Sequence, residues 1–123
     1  MIKSVAIVGA SSDRRKFGNR AIRAFRAQGY QVFPIHPHAG EVEGLVAYPS
    51  VLDVPGPIDV ISVYVPPDIG VRLLGEFAQK AAGEVWINPG AESDELLDAA
   101  HRLQLQVIVA CSIMAIGENP YAG

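Results

Sequence analysis

The stretch spanning residues 4–18, SVAIVGASSDRRKFG, restricts the fold of this chain more than any other. Four apolar residues, Val5, Ala6, Ile7 and Val8, run straight into Gly9. A loop of small residues follows, then three consecutive bases, Arg14, Arg15 and Lys16, and Gly18 opens an amphipathic segment. A buried strand that ends on glycine and feeds a helix gathers free backbone N–H groups and the positive helix end at one spot. Such a turn suits an anion, phosphate above all. Its place after the first strand is that of the ligand loop in doubly wound α/β sheets.

The remainder of the chain repeats this alternation. Residues 31–35, 59–65, 84–87 and 106–109 have strand character, and residues 19–28, 68–82 and 93–103 have helical periodicity. The run DVISVYV at 59–65 is apolar apart from its ends, as a parallel strand covered on both faces should be. Gly29 suits a helix C-cap in positive φ, and Ser93 an N-cap followed by Asp94 and Glu95 in the first turn. Connections too long for hairpins imply crossovers and a parallel sheet. The expected architecture is therefore α/β: a single doubly wound, Rossmann-like domain over residues 1–123. Its five parallel strands are expected in the order 3-2-1-4-5, with helices on both faces. Residues 41–57 should hold one short helix between turns, and the tail 112–123 has no clear period and is expected to be loosely ordered or to pack on a partner.

Half of the 123 residues are hydrophobic and 19% are charged, enough to form one core. The formal net charge of −3 argues against nucleic acid as a partner. Six of the ten lysines and arginines nevertheless crowd between residues 14 and 26. Those in the loop beside Gly9 point to an anionic ligand, and Arg23 and Arg26 to a solvated helix face. The one cysteine, Cys111, excludes an internal disulfide and fits a reducing, cytoplasmic setting. No apolar run approaches the roughly 18 residues that a membrane span needs. No metal site is expected, because His36, His38, His101 and Cys111 lack the spacing of a closed zinc site.

Ligands of doubly wound sheets sit beyond the carboxyl ends of the strands. There the chain places Gly9, Ala10, Ser11 and Ser12, then His36, Pro37 and His38, then Pro66 and Pro67, then Asn88, Pro89 and Gly90. Such loops hold a phosphorylated ligand through backbone better than they transfer protons. The G-x-G-x-x-G fingerprint is not met, since Ser11 and Arg14 occupy its second and third glycine positions. No Asp or Glu follows the second strand to bond a ribose, so an ordinary NAD enzyme is disfavoured.

The ordered set of motifs resembles the small CoA-binding Rossmann proteins, related to the CoA-binding domain of the succinyl-CoA synthetase α-subunit. VAIVGASSDRRKFGNR at 5–20 is similar to that family's opening, and Gly29-Tyr30-Gln31-Val32-Phe33-Pro34-Ile35-His36-Pro37 to its second-strand signature. Tyr48-Pro49-Ser50, Val65-Pro66-Pro67 and Trp86-Ile87-Asn88-Pro89-Gly90-Ala91 extend the resemblance in register over residues 4–111. It implies that Gly9, Ala10 and Ser11 line the CoA phosphates with Lys16 nearby, and that Phe17, Gly18 and Asn19 close the loop. It further implies that His36 and Pro37 flank the ADP moiety, that Val65, Pro66 and Pro67 flank the adenine, and that Asn88, Pro89 and Gly90 border the outgoing pantetheine. Two departures stand out: His36 replaces the usual asparagine, and His38 stands where relatives tend to have lysine.

Nothing in the chain resembles a nucleophile–base pair. The expected function is non-catalytic binding of coenzyme A or an acyl-CoA through the Gly9 loop. The alternatives are a small NAD(P)-binding oxidoreductase or nicotinamide-sensing domain, and an interaction domain with a vestigial nucleotide site. If the loop carries the ligand, Gly9→Val is expected to abolish binding and leave a folded chain.

Overall fold

The computed structural model describes residues 2–122. In chain order it contains β1 (Ser4–Val8), α1 (Phe17–Ala27), β2 (Gln31–Ile35), β3 (Glu41–Val42), β4 (Leu45–Val46), a 3-10 turn (Val51–Asp53) and β5 (Val60–Val63). It continues through α2 (Pro67–Lys80), β6 (Glu84–Ile87), α3 (Asp94–Arg102), β7 (Val107–Val109) and α4 (Ser112–Ala115). Five strands pair in parallel in the order β2-β1-β5-β6-β7, and β3 and β4 form a separate antiparallel hairpin.

β1 lies inside the sheet, with Ala6 opposite Phe33 of β2 on one side and Ile61 of β5 on the other. Its side chains alternate between two cores. Val5 and Ile7 join Ala21, Ile22 and Phe25 of α1 and Ile113 of α4. Ala6 and Val8 join Leu74 and Phe77 of α2 and Leu96 of α3 on the opposite face. Both faces are covered, which is why β1 is apolar without interruption from Val5 to Val8. The α1 helix has no side-chain cap at its start and carries a glycine in its first turn, each costing about 1 kcal/mol. Full burial of Ile22 and Phe25, at about 1.5–3 kcal/mol each, outweighs both.

The expected doubly wound parallel sheet is present, but its order is corrected. Numbering the five sheet strands alone gives 2-1-3-4-5, not 3-2-1-4-5. Pro34 supplies the physical reason. A strand flanked on both sides needs donors toward both neighbours, and proline has none. The Pro34 carbonyl faces outward and accepts from the N–H of Tyr48 at 2.9 Å, while the His36 N–H donates to the Tyr48 carbonyl at 2.9 Å. The second strand is thus an edge, finished by one bridge between Ile35 and Tyr48. The third sheet strand, β5, therefore lies on the far side of β1.

Residues 41–57 hold the expected short helix and, in addition, a hairpin that was not expected. Glu43 and Gly44, at φ 52° and 77°, turn a two-residue β3–β4 hairpin of the primed type. Glu-Gly is a weak signal for that turn beside Asn-Gly. The helix shrinks to the single turn Val51–Asp53, capped by Ser50 Oγ, which accepts from the Leu52 N–H at 3.1 Å.

The tail is corrected too. It is not loose: Ser112 and Ile113 are buried, and α4 packs beside α1. Arg20 donates to the Pro120 carbonyl at 2.9 Å, and the Phe17 and Tyr121 rings meet edge-on with centroids 5.9 Å apart.

Candidate functional site

The loops that leave the carboxyl ends of β1, β2, β5 and β6 surround a cleft of about 570 Å³. Among the expected site residues, Gly9, Ala10, Ser11, Lys16, Phe17, Gly18, His36, Pro37, Val65, Pro66, Pro89 and Gly90 line it. Two further lining residues, Tyr64 and Ala91, were not anticipated. Tyr64 follows β5 within an apolar run that reads as strand core, and Ala91 carries no polar signal.

Two glycines shape the phosphate-type loop. Gly9 adopts φ +94°, and a Cβ there would stand 3.1 Å from the Tyr64 carbonyl carbon and from Val65 Cγ1. Gly18 lies on α1, where a Cβ would stand 2.1 Å from the carbonyl oxygen of Gly9. The helix start can press onto the loop backbone only because this position is bare. That is the close-packing task of the last glycine in dinucleotide folds, performed here at a different spacing. The expectation that Gly9→Val leaves the fold intact is corrected, because valine would meet both an unfavourable φ and a neighbouring backbone.

The loop's donors are unevenly committed. The N–H groups of Gly9 and Ala10 both donate to the Ile35 carbonyl, at 3.3 and 3.2 Å, fixing the loop to the end of β2. Among the described residues, the N–H groups of Ser11, Phe17 and Gly18 make no hydrogen bond, and the Lys16 ammonium makes no hydrogen bond or close ion pair, acting on Asp13 only through its charge. These four residues line one cleft at the start of α1. Arg14 and Arg15 are engaged elsewhere. Arg14 pairs with Glu43 at 3.5 Å, and Arg15 grips the Asp13 carboxylate with Nε and one terminal nitrogen at 3.0 and 3.1 Å. The hydrogen bonds from the Arg15 side chain, then its backbone N–H, lower the Asp13 pKa from 3.8 to about 2.

Ser12 is exposed and outside the cleft, and Asn19 is fully buried beneath it. The Asn19 amide donates to the Ser11 carbonyl at 2.8 Å and to Glu43 at 3.1 Å, and its oxygen accepts from Arg23 at 2.9 Å. The Asn19 side chain is therefore spent on holding the loop. Pro67, the first residue of α2, also lies outside the cleft, where its missing N–H costs nothing.

His36 has a defined task. Its Nδ1 accepts from the backbone N–H groups of His38 and Ala39, at 3.0 and 2.9 Å. An asparagine carbonyl makes the same kind of turn, so the replacement of asparagine at this position conserves the capping chemistry. With Nδ1 accepting, the proton of the neutral ring sits on Nε2. No group of three or more His, Cys, Asp or Glu stands together for a metal among the described residues.

Asn88 is not at the cleft surface but in a buried polar knot. Its Nδ2 donates to Ser62 Oγ and to the Val63 carbonyl, each at 2.9 Å. Its Oδ1 accepts from the Ser112 N–H and hydroxyl, at 2.9 and 3.0 Å. Since Ser112 spends its own proton there, its oxygen accepts from Ser62 and Tyr64, at 2.8 and 3.0 Å. Every buried side-chain polar atom among the described residues has a partner. Burial pushes the Tyr64 phenol up from its ordinary pKa, opposed by its bonds to Ser112 and Ser62. Ser62, a lone polar residue inside an apolar strand, was the sequence sign of this knot.

Two pockets adjoin the cleft. One of about 300 Å³ shares Gly9, Pro37 and Val65 and is closed by apolar residues that include Ile69, Leu73 and Pro49. The other, about 200 Å³, shares Phe17, Tyr64 and Pro89 and reaches the tail. No helix among the described residues is long and apolar enough to cross a membrane.

Comparison with known proteins gives a consistent result. The sequence profile of a family described as "CoA binding domain" matches residues 3–117. The α-subunit of ADP-forming acetate–CoA ligase II from Pyrococcus furiosus is 31% identical over 117 residues, covering 86% of this chain and 26% of that subunit. The chain spans about a quarter or less of the length of the ligases it matches. A hypothetical protein from Pyrococcus horikoshii superposes with a TM-score of 0.86 at 30% identity, covering 94% of this chain and 81% of that one. The dinucleotide-forming acetyl-coenzyme A synthetase 1 from Ca. Korarchaeum cryptofilum, solved with phosphate and ADP, gives a TM-score of 0.77 at 30% identity. It covers 88% of this chain and 25% of that one.

Proposed function

Because the chain belongs to the CoA binding domain family, we propose that it binds coenzyme A or an acyl-CoA in the carboxyl-edge cleft and catalyses no reaction of its own. One observation carries this reading. Among the described residues, three backbone N–H groups without a hydrogen bond, from Ser11, Phe17 and Gly18, and one ammonium without a hydrogen bond or close ion pair, from Lys16, surround a single cleft at the start of a helix. A diphosphate answers all of them at once. Gly9 and Ala10 shape the loop, and the donors are their neighbours.

The two adjoining pockets give the ligand a direction. The 300 Å³ pocket behind Pro37 and Val65 takes the adenine, whose flat apolar face suits Ile69, Leu73 and Pro49. The pantetheine then leaves past Pro89 and Gly90 on the opposite side of the cleft. The ligase relatives act as far longer proteins, and this domain alone has no nucleophile paired with a base in its cleft.

Isothermal calorimetry with CoA, NADP, NAD and ADP tests the reading. CoA should bind with one-to-one stoichiometry and, at about 100 times its dissociation constant, stabilise the fold by about 2.7 kcal/mol. Binding of NADP with no response to CoA would transfer the site to the nicotinamide cofactors.

A further inference from the structure

We infer that the 200 Å³ pocket beside the cleft is an acyl subsite, and that the domain prefers short acyl thioesters of CoA to free CoA. This rests on the proposed binding of CoA in the cleft. The pocket and the cleft share the walls Phe17, Tyr64 and Pro89, so a ligand leaving the cleft on the Pro89 side runs directly alongside the pocket. Beyond those walls it is bounded by Cys111, Met114 and Tyr121.

The chemistry of that lining selects the end of the ligand it can hold. Its buried polar atoms, on Tyr64 and Asn88, are already committed to the tail through Ser112. An amide of the pantetheine arm buried there would lose its water and gain little in exchange. An alkyl group needs no partner, so the lining fits the apolar end of a thioester. The rim agrees. Phe17, Met114 and Tyr121 are 46%, 64% and 75% exposed, so large apolar side chains gather at the mouth of one small pocket. Methionine, unbranched and adaptable, suits a wall that must fit chains of different length.

The pocket also depends on the ordered tail. Cys111, Met114 and Tyr121 reach it only because Ser112 is fixed to Asn88 and the Tyr121 ring rests on Phe17.

Calorimetry on the full chain with CoA, acetyl-CoA, butyryl-CoA and hexanoyl-CoA tests the inference. Each buried methylene should tighten binding about fourfold until the pocket is full. Cys111→Leu, which fills the pocket, and Tyr121→Ala, which removes a wall, should each erase this gain and leave the affinity for free CoA within about twofold. Two variants guard against a local misfolding effect in either one. Acyl-CoAs that bind no tighter than CoA, or a gain that survives both substitutions, would overturn the acyl subsite and leave the CoA site standing. Failure of every one of these ligands to bind would sink the CoA reading and this inference together.

Discussion

The carbonyl oxygen of Gly9 occupies the space next to Gly18 so fully that a Cβ on Gly18 would stand 2.1 Å from it. The loop and the helix start are therefore one rigid unit, and the geometry of the donors in the cleft is set by a side chain that is missing.

Gly18→Ala should push α1 off the loop and destabilise the chain by about 1–3 kcal/mol, the usual range for forced overpacking. Elsewhere a Gly→Ala change in a helix stabilises by about 1 kcal/mol, so the sign itself is diagnostic. Urea unfolding reads it, and a more stable variant would contradict the contact.

Lys16→Ala should weaken CoA binding by about 1–2 kcal/mol, roughly 5- to 30-fold, with the unfolding midpoint unchanged. The salt dependence of binding should fall with it. Equal affinity in the variant would show that the phosphates lie away from this ammonium.

His36→Asn should preserve the turn after β2, because a side-chain carbonyl accepts the same two N–H groups. His36→Ala should cost about 1 kcal/mol through the lost cap. Chemical shifts of the His38 and Ala39 amides discriminate: they should hold in the first variant and move in the second.

Asn88→Ala leaves the Ser112 N–H without a partner, while Ser62 and the Ser112 hydroxyl keep each other and the Val63 carbonyl keeps the backbone N–H of residue 88, so it should lower stability by about 1–3 kcal/mol. It should also release the tail. Trp86, the chain's single tryptophan, lies with Ala115 and Ile116 around one small cavity, so its emission should shift to the red. An unmoved spectrum with full stability would show that the knot is dispensable.

Asp13 should titrate near pH 2, not near its ordinary 3.8. A carboxyl whose pKa is lower folded than unfolded contributes stability above the unfolded value and loses it as pH falls toward the folded one. The Asp13–Arg15 pair should thus be intact at neutral pH and fail only between about 4 and 2. Carbon-detected NMR of the carboxyl follows it, and Arg15→Ala should return the midpoint toward 3.8.

Much of this architecture was legible in local pattern. Val5–Val8 running into Gly9, the helical face of Ile22 and Phe25, and the Ser93 cap each act over a few residues, so spacing reveals them. The loop positions His36, Pro37 and Pro89 follow from where strands end, Lys16 from the basic run beside Gly9, and Val65 only from the family resemblance. What escaped was decided by partners distant along the chain. Asn88 looks like a ligand-loop residue until Ser112, 24 residues on, claims its oxygen. The tail, without a period of its own, takes its order from that bond and from Phe17. The strand order departs from the expected one because two orders are open to a doubly wound sheet, and the missing donor of Pro34 selects the one that leaves β2 at the edge.

Pro34 has a consequence beyond strand order. One border of the sheet is blunted by the proline and by the bridge to Tyr48, while among the described residues no strand covers the outer side of β7. Two copies joined edge to edge through β7 would use up the open border of the five-stranded sheet in each. Growth by strand addition would stop at a pair, so the same residue that fixes β2 at the margin withholds a second growing end from fibre formation.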